Sequence, residues 1–337
     1  MMVKCSGAKK GRRRLLFYPF ERNYNVLLQK TQGVETMFDE IVERVSSVIY
    51  GKKKEIRLAL TCLFAGGHLL IEDRPGIGKT TMAKALSRCL GLDFSRVQFT
   101  SDLLPADILG SAIFEQQSSK FVFHEGPIFT QVLLSDEINR ATPRTQSALL
   151  EAMEELQVTT EGQTRMLPKP FFVIATLNPI EQAGTFALPE SQLDRFLLRI
   201  SMGYPNRQAE KMLLKAGDTQ HLLAQVKPVF SADQVSKIRE KVQLVQMSDA
   251  LLDYIQDILE FTRTSSHFHT GLSPRAGLAL LKTARAWALI NGRKHGLPED
   301  IQTILPYVAG HRLRSADTFR ELGFDRLVAL FREVAVP

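Results

Sequence analysis

Residues 71–80 read IEDRPGIGKT, a short apolar run that closes on Gly76, Ile77, Gly78, Lys79 and Thr80 and leads into the helix-like TMAKALSRCLG. Glycines at these two positions let the backbone turn tightly and aim consecutive N–H groups at phosphate oxygens. The start of the following helix adds its positive dipole. Lys79 brings a full charge to the β and γ phosphates of a nucleotide, the Thr80 hydroxyl is placed to ligate Mg²⁺, and Thr81 completes the phosphate-binding set. ATP and Mg²⁺ are therefore the expected cofactors. One position departs from G-x-x-x-x-G-K-[ST]: where Gly is expected five residues before Gly78, the chain has Asp73, which reaches unusual backbone angles only with strain. Taken alone, the stretch also reads as a glycine-rich turn before an ordinary helix.

Residues 131–140, QVLLSDEINR, form a second apolar run that closes on Asp136 and Glu137. In phosphoryl transfer the first carboxylate helps hold Mg²⁺ and the second polarises the attacking water. An acidic pair by itself is as readily a solvated loop. At the end of a strand-like run 57 residues after Lys79 (136 minus 79), it reads as the partner of the phosphate-binding loop, and Glu137 separates a hydrolase from a nucleotide sensor.

The run from Asp136 through ATPRTQSALLEAMEELQVT, the ATLNP at 175–179 and the LPESQLDRFLL at 188–198 resemble the MoxR family of AAA+ ATPases, and the resemblance extends over roughly residues 37–337. Loops of that family commonly carry an acidic residue where Asp73 stands. The resemblance implies an α/β fold: an AAA+ parallel-sheet nucleotide-binding domain with helices on both faces, followed by an all-α lid domain. It also implies a ring oligomer, read as a hexamer, and a protein client reached through a separate protein bearing a von Willebrand factor A domain, since this chain has no D-x-S-x-S motif.

Further site residues follow from the same resemblance. Asn178, after the apolar FFVIAT, matches a sensor that orients water and contacts the γ phosphate without adding charge; a turn-forming Asn before Pro179 is the competing reading. Arg195 matches an arginine finger reaching a neighbouring subunit's nucleotide, against a surface salt bridge to Asp194 or Glu190. Arg275 follows Ser273 and Pro274, which read as helix cap and first turn, and matches a lid arginine that contacts the γ phosphate, against a solvated first-turn arginine that the helix dipole disfavours. Ile49 and Gly51, in VIYGKKKEI, match an adenine-facing stretch.

The chain has 337 residues, 44% of them hydrophobic and 23% charged, enough for a sizeable core and about two domains. Its three cysteines, Cys5, Cys62 and Cys89, are scattered, so neither a disulfide framework nor a zinc site is indicated and a cytoplasmic location is expected. The net charge of +7 invites a nucleic-acid reading, but residues 1–14 carry six basic residues and no acid, leaving +1 for the rest (7 minus 6). Residues 1–33 read as a basic, disordered arm. No run is long enough to span a membrane.

Strand-like runs at 68–73, 94–99, 131–135, 171–176 and 196–201 alternate with helical stretches, which predicts a parallel sheet covered on both faces within residues 34–205. Ligands of such sheets bind beyond the carboxyl ends of the strands, where Lys79, Asp136 and Asn178 all fall. Residues 103–129 and 157–170 read as two inserted hairpins. From 206 to 337 the pattern is almost wholly helical, with amphipathic runs near 206–217, 232–245, 249–264, 275–290 and 298–309 and with Trp287 in the lid core. Two other functions share these features: a nucleic-acid-remodelling AAA+ motor and a chelatase-like metal-insertion subunit. The near-neutral body counts against the motor, although Arg165 and Lys169 in the second hairpin keep it open.

Overall fold

The computed structural model describes residues 32–117, 119–178, 184–217 and 219–337. Almost all of the basic arm expected at 1–33 lies outside them.

In chain order the nucleotide-binding part contains α1 (Gln32–Ser46), α2 (Lys53–Phe64), β1 (Leu69–Glu72), α3 (Lys79–Cys89), β2 (Phe94–Gln98), α4 (Pro105–Leu109), β3 (Gly110–Glu115), β4 (Lys120–Glu125), β5 (Val132–Asp136), α5 (Pro143–Glu155), β6 (Gln157–Thr160), β7 (Gln163–Met166), β8 (Phe172–Leu177), α6 (Glu190–Leu193) and β9 (Leu198–Ile200). Helices α7 (Arg207–Ala216), α8 (Thr219–Gln225), α9 (Ala232–Gln243), α10 (Asp249–Thr264), α11 (Pro274–Ile290), α12 (Pro298–Ala309) and α13 (Phe324–Phe331) follow.

Strands β2, β5, β8, β1 and β9 lie side by side in that order, and every pairing is parallel. The central strands β5, β8 and β1 are apolar for most of their length because both faces are covered, whereas the edge strands β2 and β9 carry Arg96, Gln98 and Arg199. Successive residues then alternate between two cores. Leu69, Ile71, Leu134, Phe172 and Ile174 pack with α1, α2, α3 and the lid, whereas Leu70, Leu133, Val173 and Ala175 pack with Leu149, Leu150 and Met153 of α5. The first core runs without a break from the sheet into the lid through Leu280, Ala284 and Ile304.

Helix starts follow their capping chemistry. Thr142 accepts from Thr145 N at α5, and Ser273 accepts from Ala276 N at α11 with Pro274 in the first turn, as the sequence predicts. Two antiparallel hairpins, β3–β4 and β6–β7, stand outside the sheet where 103–129 and 157–170 predict them. They are pinned together: the Arg165 guanidinium lies 3.7 Å from the centroid of the Phe123 ring, and Ala112 N donates to Glu161 Oε1 at 3.2 Å. No helix among the described residues is long and apolar enough to cross a membrane.

Candidate nucleotide site

The loop between β1 and α3 turns on two left-handed glycines, Gly76 (φ 82°) and Gly78 (φ 93°), and Gly78 is the cap of α3. Apart from the chain neighbours, no heavy atom lies within 4 Å of where a Cβ at either would stand, so open space adjoins the loop at both glycines. Ile77, Thr80 and Thr81 are half-buried along it, with Thr80 and Thr81 in the first turn of α3. Lys79 is buried and donates from Nζ to Asp73 O at 2.6 Å. Burial pushes its ammonium below the usual lysine range, opposed by the charges of Asp136, Asp73 and Glu137. An open glycine cradle, an ammonium and two carboxylates at one sheet end fit a nucleotide phosphate chain with a divalent cation.

Asp73 does not do what its place in the motif suggests. It is absent from the left-handed positions, and its side chain acts instead as a clip on the segment leaving β9. Its carboxylate accepts from Ser201 Oγ (2.8 Å), Gly203 N (2.6 Å) and Arg74 N (2.8 Å). Burial works to raise its pKa, and these hydrogen bonds overcome that and hold the group below its ordinary value. Lys52 grips the same segment from the other side, donating to Met202 O and to Tyr204 O (3.0 Å). The crossing from sheet to lid is thus held by an acid on its amides and a base on its carbonyls. Ile49 is buried, and a Cβ on Gly51 would stand 3.0 Å from Ala209 Cβ of α7.

Asp136 ends β5, and Glu137 follows it at φ 56°, ψ 51°, a left-handed conformation that costs a non-glycine residue about 1–2 kcal/mol. Both are tied to β8 and β2. Thr176 Oγ1 donates to Asp136 Oδ1 (2.7 Å) and accepts from Glu137 N (2.8 Å). Arg96 donates to Asp136 Oδ2 (2.7 Å), while Gln98 (2.9 Å) and Arg140 (3.0 Å) donate to Glu137 Oε2. Asn178 is buried just past the end of β8, and its carbonyl accepts from Asn139 Nδ2 at 3.5 Å. Lys79, Thr80, Asp136, Glu137 and Asn178 therefore all lie at the carboxyl ends of the strands.

Arg195 and Arg275 lie elsewhere. Both meet Glu154 at the end of α5, Arg195 at 2.8 Å and Arg275 at 2.7 Å, and Arg195 also donates to Leu150 O. They line a cavity of about 540 Å³ with Gly66, Gly67 and His68, the residues that precede β1. That is the amino end of the sheet, so the structure does not bring Arg275 to the phosphate loop of its own chain. The competing salt bridges considered for Arg195 are also corrected, because Asp194 is taken by Arg312 (2.6 Å) and Glu154 is the carboxylate that Arg195 meets.

Sequence reading missed Thr176, Arg96, Gln98, Glu154 and Arg312. A faint signal existed for three of them: Thr176 lies in ATLNP two residues before Asn178, and Arg96 and Gln98 alternate on one face of β2. Glu154 and Arg312 carry none, since their ion-pair partners are 41 to 121 residues away (195 minus 154, 275 minus 154, 312 minus 194).

Comparison with known proteins agrees with this geometry. Residues 68–198 match the ATPase family associated with various cellular activities (AAA), and residues 260–327 match an AAA lid domain. The chain is 43% identical over 282 residues to the uncharacterized protein YeaC of Bacillus subtilis, covering 84% of this chain and 88% of that one. It is 38% identical to chaperone MoxR1 of Mycobacterium tuberculosis, over 83% of this chain and 76% of that one, and 30% identical to protein MoxR of Paracoccus denitrificans, over 89% and 96%. A crystal structure of an ATPase candidate from Cytophaga hutchinsonii superposes with a TM-score of 0.85 at 33% identity, covering 93% of this chain and 98% of that one. With the sheet, the open phosphate cradle and the helical lid in place, these likenesses show that the chain belongs to the MoxR family of AAA+ ATPases.

Proposed function

We propose that the chain hydrolyses ATP within a ring of its own copies, read as a hexamer, and couples turnover to remodelling, maturation or activation of a protein client. The observation that carries this reading is that Lys79 with its glycine loop, Asp136, Glu137 and Asn178 all stand at the carboxyl ends of the neighbouring strands β1, β5 and β8. Lys79 neutralises charge on the β and γ phosphates, Glu137 polarises the attacking water, and Asn178 orients it. Mg²⁺, held by Thr80 and Asp136, neutralises phosphate charge when bound. The backbone of Gly76, Ile77 and Gly78, with Thr81, cradles the phosphates, and the stretch from Ile49 to Gly51 faces the adenine.

The place of Arg195 and Arg275 supports a ring. From the amino end of the sheet they serve a neighbouring copy's phosphate loop, Arg195 as the finger and Arg275 as the lid's contribution. We take residues 34–205 as the nucleotide-binding unit and 206–337 as a lid that pivots on the segment gripped by Asp73 and Lys52. The client is reached through a separate von Willebrand factor A domain protein in the cytoplasm. Of the two hairpin cations that kept a nucleic-acid motor open, Arg165 is stacked on Phe123 within the chain, while Lys169 is exposed.

Steady-state hydrolysis by the wild-type chain and by Glu137→Gln, measured across protein concentrations, tests the assignment. Wild-type activity per subunit should rise with concentration, and the variant should lose about 10²- to 10⁴-fold while still binding nucleotide. A wild-type chain with no turnover would overturn the hydrolase. Nucleic acid retained by the ATP-loaded variant through a salt wash, with no protein partner, would replace the client by a nucleic-acid substrate.

A further inference from the structure

We propose that Thr176 is the positioning residue of the hydrolytic pair, setting the geometry of Asp136 and Glu137 through its hydroxyl and not through its bulk. The inference rests on the reading of Glu137 as the residue that polarises water.

Asp136 and Glu137 sit at the end of β5, directly beside the end of β8, which pairs with it in parallel register. Thr176 is fully buried there. Its one proton goes to Asp136 Oδ1 and its oxygen accepts from Glu137 N, so a single atom joins both members of the pair. The direction of this chain is settled: an amide can only donate and an ionised carboxylate can only accept, so the hydroxyl must do both.

Each end of the chain has a geometric consequence. Glu137 stands in the left-handed region, where a residue with a Cβ remains only if its surroundings hold it. The bond from its amide to Thr176 is such a hold, and it determines where the Glu137 carboxylate is aimed. At the other end, the bond to Oδ1 sets the rotation of the Asp136 carboxylate, and with it the direction of the oxygens available to a divalent cation.

The other bonds to this pair differ in kind. Arg96 and Arg140 have side chains 44% and 45% exposed, so water can take their places. Nothing can replace the Thr176 hydroxyl, because its surroundings exclude solvent. A purely structural role is the alternative, in which Thr176 is a β-branched residue filling a strand position. Valine keeps that shape without the hydroxyl, whereas serine keeps the hydroxyl without the methyl.

The experiment compares wild type, Thr176→Val and Thr176→Ser by ATP turnover, by thermal unfolding, and by the gain that Mg²⁺ adds to binding of a fluorescent ATP analogue. Thr176→Val should lower kcat about 100-fold, the scale of an ångström's misplacement of a reacting group, with little change in KM. Thr176→Ser should stay within about threefold of wild type. Wild-type turnover in Thr176→Val, or equal loss in the two variants, would overturn the inference. If Thr176→Val does not fold, Thr176→Ala against Thr176→Ser repeats the comparison with only the hydroxyl differing. If the wild-type chain shows no turnover, the hydrolase reading fails by itself and binding decides about Thr176. A Mg²⁺ gain lost in Thr176→Val and kept in Thr176→Ser supports the inference, and an equal gain in both overturns it.

Discussion

At the carboxyl ends of the strands, Asp73, Asp136 and Glu137 each accept at least two hydrogen bonds, and Lys79 is held by a carbonyl. At the amino ends, Arg195 and Arg275 share the single carboxylate of Glu154, and Arg239 and Lys282 line the same cavity. Acids and a cradle gather at one end and surplus cations at the other. The four residues of β1 separate them by about 13 Å at the rise of a strand, too far for these arginines to reach their own phosphate loop. The contrast supports two half-sites that meet between copies of the chain.

The sharpest way to break that comparison is to disable one end at a time. Arg195→Ala should lower turnover about 10³-fold with nucleotide binding intact, the scale expected of an arginine finger. Mixing it with Lys79→Ala should restore part of the activity, because one copy then supplies an intact loop and the other an intact finger. Two inactive proteins that stay inactive when mixed would dismantle the two-half-site reading.

A smaller effect separates the two ends by pH. His68 is buried at the amino end, accepts from Val173 N through Nδ1 (3.0 Å) and lies 3.2 Å from Met153 O through Nε2, which fits a neutral ring. Burial lowers its pKa to about 4, aided by Arg239 and opposed by the bond to Met153. The unfolded chain therefore takes up the proton first as pH falls. Its contribution is complete above about pH 6.5 and declines towards pH 4, by roughly 3 kcal/mol in all. Denaturant midpoints between pH 7 and 4 should show this decline, and His68→Asn should flatten it; an unchanged slope in the variant would assign the decline elsewhere.

The smallest effect is at the carboxyl end. Asp73→Ala removes the clip on Ser201 and Gly203 and should cost about 1–2 kcal/mol of stability. Amide exchange should quicken at residues 201–204 and not around Glu154. Uniform acceleration would mean that Asp73 supports the whole core and not the crossing to the lid.

Much of the fold was legible because its signals are local. Four of the five sheet strands lie in short apolar runs, with β2 mixing polar and apolar residues, and the long lid helices show 3.6-residue spacing behind a capping serine, as at Ser273. Helices α4 and α6, with five and four residues, span too few turns to show any spacing, and α8 and α13 were missed as well. The site divided in the same way. Gly76 to Thr80 and Asp136–Glu137 are contiguous motifs, so their chemistry could be read from the chain. Arg275 also looked like part of a single site, but which end of the sheet a lid residue reaches depends on how the lid packs.

The sequence by itself determined the phosphate loop, the acidic pair, the parallel sheet and the helical lid, since each depends on residues close together or on a repeating spacing. Tertiary structure alone decided that Asp73 clips the crossing to the lid, that Thr176 joins Asp136 to Glu137, and that Arg195 and Arg275 meet on Glu154 away from their own loop. These contacts join residues tens to more than a hundred positions apart. No local preference encodes them, and they exist only once the packed sheet and lid bring the partners within hydrogen-bond reach.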